Sequence, residues 1–219
     1  MRDFYKTIMS IREQSAVVSL WKNNWQSTDY RRKLISGLII ISFILIALPF
    51  FYQAIEQRNG IKFNDYLLQW LPAYDLSLFI FVTIWSMALL TFHRFKQDPQ
   101  IFLTFLWGFI LINLSRFVSI GLVPLNAPDS LVAIHDPISN YFYGPKFITK
   151  DLFFSGHTAA MFLMFLCLKK RTDKIVTLIA TVLIGIAVLI QHVHYTMDVF
   201  MAPLITYFLW IAANKIVES

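Results

Sequence analysis

Residues 34–52 read LISGLIIISFILIALPFFY, a run of 19 residues without a charged side chain. A helix needs roughly 20 mostly apolar residues to cross about 30 Å of hydrocarbon, so this run has the length and composition of a membrane span. The whole chain has the same character, since 57% of its 219 residues are hydrophobic and 15% are charged. Soluble domains carry about 25% charged residues. The sequence therefore predicts an all-α membrane protein.

Six apolar runs predict a six-transmembrane-helix bundle: Leu34–Tyr52, Leu76–Phe92, Ile101–Ser115, Leu152–Leu168, Ile175–Ile190 and Thr196–Ala213. Several runs are short, so polar residues at their ends must belong to the helices and lie at the membrane edge or inside the bundle. The connection over residues 116–151 is rich in Pro, Asn and Asp, which predicts an ordered loop near a site or a lid. The expected domains are an N-terminal segment, residues 1–33, and a six-helix membrane domain, residues 34–219.

Lys and Arg residues are divided unevenly between the two sides of this bundle. One side holds 14 of the 19, in residues 1–33, 93–100 and 169–174 and in the C-terminal tail. The other side holds Arg58, Lys62, Arg116, Lys146 and Lys150. Cytoplasmic loops carry an excess of Lys and Arg, so both termini are predicted to be cytoplasmic. The net charge of +6 is distributed among these loops, and no nucleic-acid partner is expected.

The N-terminal segment has two interpretations. Its apolar residues fall near one helical face, with basic residues interleaved among them: Phe4, Ile8, Ile11, Val18, Trp21 and Trp25 against Lys6, Arg12 and Lys22. This pattern is typical of a helix that lies in the membrane interface. A frayed basic tail is the alternative, and the pattern does not separate the two.

Two polar motifs stand where predicted helices begin on the non-cytoplasmic side, DLFFSGHT at residues 151–158 and HVHYTMD at residues 192–198. Because the fourth and sixth helices both run inward from there, His157 and His194 are expected at one membrane depth. Asp198 follows His194 by four residues, which places it one helical turn away. Its carboxylate can accept the imidazole N–H and leave the other nitrogen to act as nucleophile or base. Ionisable residues at membrane depth are functional by default, so these three are the predicted catalytic residues.

The same motifs offer groups that bind an anion. Ser155 and Gly156 precede a helix start, where backbone N–H groups favour an anion and glycine permits its close approach. His157 in the first turn would face that phosphate and suits a general acid. Arg116, at the outer end of the third run, can pair with a phosphate or can extend to the interface as ordinary membrane-edge arginines do.

Other chemistries fit the motifs less well. His157, His192, His194 and Asp198 offer ligand atoms, but His-x-His on a helix points its two rings apart, and no spacing typical of zinc is present. A serine hydrolase at Ser155 would need a Gly-x-Ser-x-Gly pattern, which the flanks lack. No metal and no cofactor are therefore expected. His93 and His135 are assigned to loops without a role.

The stretches Phe154-Ser155-Gly156-His157-Thr158 and His194-Tyr195-Thr196-Met197-Asp198 together resemble the sphingomyelin synthase family, a branch of the type 2 phosphatidic acid phosphatase superfamily. Asp151, His192 and Arg116 followed by Leu-Val-Pro-Leu at residues 122–125 extend the resemblance over residues 110–200. It implies six transmembrane helices and a His, His, Asp triad on the exoplasmic face. The substrate-binding residues assigned on these motifs are Arg116, Asp151, Ser155, Gly156 and Tyr195.

The sequence also departs from the superfamily pattern. It contains no Arg-Pro pair, and Val188 stands where the superfamily has an Arg six residues before the second histidine. Thr149-Lys150 replaces the usual Cys-Gly before the aspartate, which leaves the head group open. The missing positive charges would hold a dianionic phosphomonoester, whereas a phosphodiester carries one charge and needs fewer partners. These departures favour a diester substrate and a transferase.

The resemblance implies an integral membrane lipid phosphotransferase. It would move a head group such as phosphocholine or phosphoethanolamine from a glycerophospholipid to ceramide or a diacylglycerol-like lipid alcohol, through a phospho-histidine at His194. One alternative is a phospholipase C-like or lipid phosphate phosphatase activity, in which water replaces the lipid acceptor. A second is a non-enzymatic scaffold or transporter. The site would face the non-cytoplasmic side of the cell (inner) membrane in a bacterium, or of the Golgi or plasma membrane in a eukaryote.

Overall fold

The computed structural model describes residues 15–134 and 147–219. Its helices are α1 (Thr28–Glu56), α2 (Tyr66–Trp70), α3 (Ser77–Gln97), α4 (Pro99–Leu122), α5 (Gly156–Cys167), α6 (Arg171–Ile190) and α7 (Thr196–Glu218), and residues 15–26 are also helical. Within these described residues the only strand-like pairing is an isolated bridge between Ile61 and Leu125. The prediction of an all-helical protein is confirmed.

Among the described residues, α1, α3, α4, α6 and α7 are long and apolar enough to cross a membrane. Large apolar side chains on their outer faces are exposed, among them Phe43, Phe50, Leu78, Ile179, Phe200 and Phe208. A continuous apolar surface of this kind requires an apolar partner, and here the partner is lipid. The chain is therefore an integral multi-pass membrane protein. Helix α5 has 12 residues, about 18 Å at 1.5 Å per residue, and is shorter than the hydrocarbon layer.

Two differences between the predicted runs and the helices affect the site. The fourth run was predicted as a helix from Leu152, but α5 begins at Gly156. Phe153 has a φ of 61°, a left-handed conformation that a helix cannot contain. The third run was predicted to end at Ser115, but α4 continues to Leu122 because its apolar sequence meets no helix-breaking proline before residue 124. Arg116 therefore lies inside a helix, and the predicted loop begins later than expected.

Helix α5 lies at the centre of the bundle, packed against α4, α6 and α7. Its Ala159, Met161 and Leu163 are fully buried. One apolar cluster joins α5 to α3 and α6, and another joins it to α4 and α7. Close packing on several sides fixes the position of α5 and of the motif at its start.

The helices bring the predicted loops together at two ends. At one end, called here the basic end, Lys33 Nζ donates to Val217 O (3.1 Å), and Trp21 Nε1 donates to Lys96 O (2.8 Å). Lys169 Nζ also pairs with Asp98 at 2.5 Å. The other end, called here the motif end, holds residues 56–76, 119–134, 147–157 and 190–198.

The connections at the motif end are tied to one another by hydrogen bonds. Ile61 N donates to Pro124 O (2.8 Å), and Asn126 N donates to Ile61 O (3.0 Å). The Asn126 side chain bonds both backbone groups of Gly60, at 3.2 and 2.7 Å. A Cβ at Gly60 would lie 2.7 Å from Asn126 N, so only glycine allows the two segments to approach this closely.

Thr149 and Lys150, the two residues before Asp151, are anchored to the end of α1. Glu56 accepts hydrogen bonds from Thr149 N (2.9 Å), Thr149 Oγ1 (2.6 Å) and Lys150 N (3.2 Å). Lys150 Nζ donates to Glu56 O at 2.9 Å. These bonds fix the chain immediately before Asp151, where the first motif begins.

Candidate functional site

The second motif forms the start of α7. Asp198 is the third residue of the helix, and its Oδ2 accepts from Tyr195 N (3.1 Å) and lies 3.4 Å from His194 Nδ1. His194 and Asp198 are 3% and 1% exposed. The sequence predicted this pair on one helical face, but His194 precedes the helix. The two side chains meet because the Asp198 carboxylate folds back over the helix start, as in a capping box.

The first motif forms the start of α5. Ser155 is buried and caps this helix, its Oγ accepting from Thr158 N (3.3 Å) and Thr158 Oγ1 (3.1 Å). Its backbone N donates to Asp198 O at 3.0 Å, which joins the two helix starts directly. The half-buried ring of His157 lies with its centroid 6.5 Å from that of His194, at an angle of 68°. The structure thus brings His157, His194 and Asp198 together.

Arg116 lies over the start of α5. The residue is 8% exposed, and its Nη2 pairs with Asp151 Oδ1. A Cβ added at Gly156 would lie 2.6 Å from Arg116 Cζ. The sequence interpretation gave Gly156 the task of admitting an anion, whereas the structure places the guanidinium of Arg116 against it. Arg116 and Asp151 therefore adjoin the helix turn that carries His157.

This arrangement is suited to phosphoryl chemistry. The Asp198 carboxylate faces Nδ1 of His194, which favours the tautomer whose Nε2 carries a lone pair. Backbone N–H groups at the start of α5 and the fixed charge of Arg116 favour an anion. A second imidazole, that of His157, lies close enough to act on the same bound group.

His192 does not join this cluster. Its Nδ1 lies 2.9 Å from Asp129 O and its Nε2 lies 3.0 Å from Leu71 O, so both ring nitrogens contact backbone carbonyls of two loops. Over residues 15–134 and 147–219, no three His, Cys, Asp or Glu side chains are placed to hold a metal ion. His93 bonds Gln97 Nε2 at 3.0 Å at the basic end, and His135 lies outside the described residues.

Tyr195 is tied to the neighbouring loops. Its hydroxyl donates to Asn126 O (2.9 Å) and accepts from Phe63 N (3.3 Å). Burial raises the pKa of the Tyr195 phenol above its ordinary value, so the phenol stays protonated at neutral pH. A groove of about 550 Å³ opens beside it, lined on its polar side by Lys62, Asp65, Gln69, Asp129 and His192.

Asp65 was missed by the sequence interpretation. It is 8% exposed, and its Oδ2 accepts from Thr196 N (2.6 Å) while its Oδ1 accepts from Thr196 Oγ1 (2.9 Å). An Asp before an apolar run is a typical helix N-cap, which predicts its bonds to α2. Its bonds to α7, 131 residues away in sequence, have no sequence signal.

Comparison with known families supports the same part of the chain. A family model described as PAP2 superfamily C-terminal matches residues 150–215, the segment that carries both motifs and α5 to α7. This match supports the type 2 phosphatidic acid phosphatase superfamily and a lipid phosphatase or phosphotransferase type of activity. It does not distinguish the sphingomyelin synthase branch. No curated protein matches the chain.

Proposed function

We propose that this chain is a membrane phosphotransferase that moves a phosphorylated head group from a glycerophospholipid to ceramide or another lipid alcohol. The observation that carries the proposal is the pair of imidazoles, 6.5 Å apart between ring centroids, with a carboxylate behind one of them. The superfamily match over residues 150–215 supports phosphoryl chemistry on lipids as the general class.

In the first step, Nε2 of His194 attacks the phosphorus of the donor lipid and forms an N–P bond. The P–O bond to diacylglycerol breaks, and His157 as imidazolium gives its proton to the departing oxygen. Asp198 stabilises the positive charge that develops on His194. Arg116 and the backbone amides at the start of α5 stabilise charge on the phosphoryl oxygens.

In the second step, His157 is neutral and removes the proton from the hydroxyl of the acceptor lipid. The acceptor oxygen attacks phosphorus, a new P–O bond forms, and the N–P bond to His194 breaks. His157 is again protonated and His194 again neutral, so the cycle closes without a net change in the enzyme. Dividing the transfer in this way replaces one difficult step by two easier ones.

The charge of the site supports a phosphodiester donor. Val188, at the position of the superfamily's second arginine, is fully buried in an apolar cluster with residues of α3 and α5, so this position supplies no positive charge. Arg116 already pairs with Asp151. A monoanionic diester needs less compensating charge than a dianionic monoester, which favours transfer over the hydrolysis of a phosphomonoester.

The proposed topology has six crossings, with α5 and the residues before it making the fourth. The segments predicted to be cytoplasmic hold 14 of the 19 Lys and Arg residues, so the basic end would be cytoplasmic with both termini. The motif end would then face the non-cytoplasmic side of the membrane. Residues 15–26 are helical, with Val18 and Trp25 exposed, which supports an interfacial helix. The remainder of that prediction, residues 1–14, lies outside the described residues.

Replacement of His194 by Ala tests the proposal. Transfer from a labelled phospholipid to ceramide in proteoliposomes should fall by about 10³-fold or more, because removal of a nucleophile removes the covalent route. His93→Ala, at the basic end, should retain wild-type transfer. Unchanged transfer by the His194 variant would refute the assignment.

The products separate the proposal from its alternatives. Release of a free phosphorylated head group in the presence of ceramide would indicate a phospholipase C-like hydrolase. Labelled phosphate trapped on His194, stable to alkali and labile to acid, would exclude a non-enzymatic scaffold or transporter. The wild-type chain is expected to give both the trapped phosphate and the transferred lipid.

A further inference from the structure

One buried carboxylate at the motif end contacts the chain at two helix starts. Asp65 caps α2, since its Oδ1 accepts from Leu67 N (3.1 Å) and Leu68 N (3.3 Å). The same side chain reaches Thr196, the first residue of α7, where it accepts from the backbone N at 2.6 Å and from Oγ1 at 2.9 Å. A carboxylate bonded to N–H groups at a helix start is a strong, charge-assisted contact.

Thr196 lies between the groups that orient the proposed nucleophile. The preceding residue, Tyr195, donates its backbone N–H to Asp198 Oδ2, the oxygen that faces His194. Asp198 N in turn donates to Tyr195 O at 3.0 Å. The backbone N–H groups of Tyr195 and Thr196 stand at the start of α7, where a helix supplies no backbone acceptor of its own. Asp198 accepts the first from within the helix, and Asp65 accepts the second from outside it.

We propose that Asp65 is a positioning residue: it fixes the first turn of α7 and so aligns the Asp198 carboxylate with His194. The inference rests on the proposed function for its catalytic consequence. Asp65 affects the reaction indirectly, through Thr196 and Tyr195. A misplacement of about 1 Å in a catalytic group can reduce the rate by 10²-fold.

Asp65 also lines the groove beside Tyr195, which raises a different role, direct contact with a head group. The two roles predict different kinetics. A residue that binds the head group equally in the ground state and transition state changes KM and leaves kcat alone. A residue that aligns the nucleophile changes kcat and leaves KM nearly constant.

Asp65→Asn is the sharpest variant. Its Oδ1 can still accept from the α2 amides and from Thr196 Oγ1, but its Nδ2 would stand opposite Thr196 N, a donor facing a donor. The variant thus spares the cap of α2 and removes the hydrogen bond to the backbone N–H of Thr196. Gln69→Ala is the matched control, because Gln69 lies in the same segment and its side chain, among the described residues, bonds the exposed Asn64 side chain alone (2.6 Å).

Two measurements on full-length protein in detergent micelles decide the proposal. For Asp65→Asn we expect kcat to fall about tenfold with KM within twofold, and hydrogen exchange of the amides at residues 196–200 to accelerate about tenfold. Gln69→Ala should change neither. Thr196→Val, which removes only the hydroxyl bond, should lower kcat about threefold and decides the question if Asp65→Asn does not fold.

A rise in KM with unchanged kcat would overturn the proposal in favour of head-group contact. Unchanged hydrogen exchange at residues 196–200 would overturn it whether or not the chain is a transferase, because this measurement does not depend on activity. Failure of the proposed function is a separate result, seen as full transfer by His194→Ala.

Discussion

The two helix starts at the motif end are joined by a hydrogen bond, yet they are capped in opposite ways. Helix α5 begins with the neutral hydroxyl of Ser155, has no acidic residue in its first turn, and lies against the guanidinium of Arg116. Helix α7 begins with two buried carboxylates, those of Asp198 in its first turn and of Asp65 on Thr196.

This difference assigns different tasks to the two helices. A helix start carries about half a positive charge. At α7, two carboxylates already compensate that charge and point toward His194 and its neighbours. At α5, the helix start and Arg116 together remain attractive to an anion, although Asp151 is a competing partner of the arginine. We therefore expect a substrate phosphate over α5 and the nucleophile on the side of α7.

The largest loss of activity is expected from Asp198→Asn, which tests the role assigned to the start of α7. The amide keeps the shape of the side chain but removes the charge that stabilises the positive charge developing on His194 as the N–P bond forms, so kcat for transfer should fall by about 10²–10⁴-fold. Trapping of labelled phosphate on His194 should slow in parallel. Asp129→Asn, an exposed carboxylate at the same end paired with Lys62, is the control and should transfer normally. A loss under threefold at Asp198 would mean that His194, beside the start of α7, is not the nucleophile.

The sequence predicts which residues meet at this site better than how the chain brings them together. The spacing of His194 and Asp198 predicted their contact, and the positions of the two motifs predicted that His157 would lie near His194. The spacing could not show that His194 precedes the helix, because a four-residue separation fits both a helical face and a capping arrangement. The all-helical fold and the membrane character could be predicted from the sequence, because composition and local apolar runs indicate both directly.

Other features depend on contacts between segments far apart in sequence. Arg116 was interpreted as the residue at the outer end of the third apolar run. It is instead a buried residue inside α4, held beside Gly156. Asp65 lies in a connection at the motif end with the composition of an ordinary turn, and only the fold brings it to Thr196. Such pairings are set by tertiary packing, which overrides local preference.

An intermediate effect is expected from Gly156→Ala, which tests the α5 side of the comparison. The added Cβ would lie 2.6 Å from Arg116 Cζ, and the flexible guanidinium can move aside without unfolding the helix. Charge stabilisation of the phosphate should weaken, and kcat/KM should fall about tenfold. Gly121→Ala is a matched control, because a Cβ there meets no atom of the described residues within 4 Å. Equal activity of the two variants would mean that Arg116 does not stabilise charge on the substrate phosphate.

The smallest effect on kcat is expected from Tyr195→Phe. This variant separates the backbone N–H of the residue, which bonds Asp198, from its hydroxyl, which bonds the neighbouring loops. The backbone N–H bonds Asp198 and is retained, so kcat should stay within twofold. The lost hydroxyl bonds to Asn126 O and from Phe63 N should cost about 1 kcal/mol of stability, seen as a Tm about 2–4 °C lower in detergent at neutral pH.

The pH dependence of that difference identifies the hydroxyl as its source. Because burial raises the pKa of Tyr195 above 10.0, the folded state keeps its proton while the unfolded chain begins to lose it. The stabilisation is therefore complete below the unfolded pKa and is lost as pH rises through the folded one. The Tm of the wild type should approach that of Tyr195→Phe above about pH 10, the ordinary pKa of tyrosine. A gap that stays constant with pH would place the effect in packing rather than in the hydroxyl, and a large loss of kcat would give the side chain itself a part in the reaction.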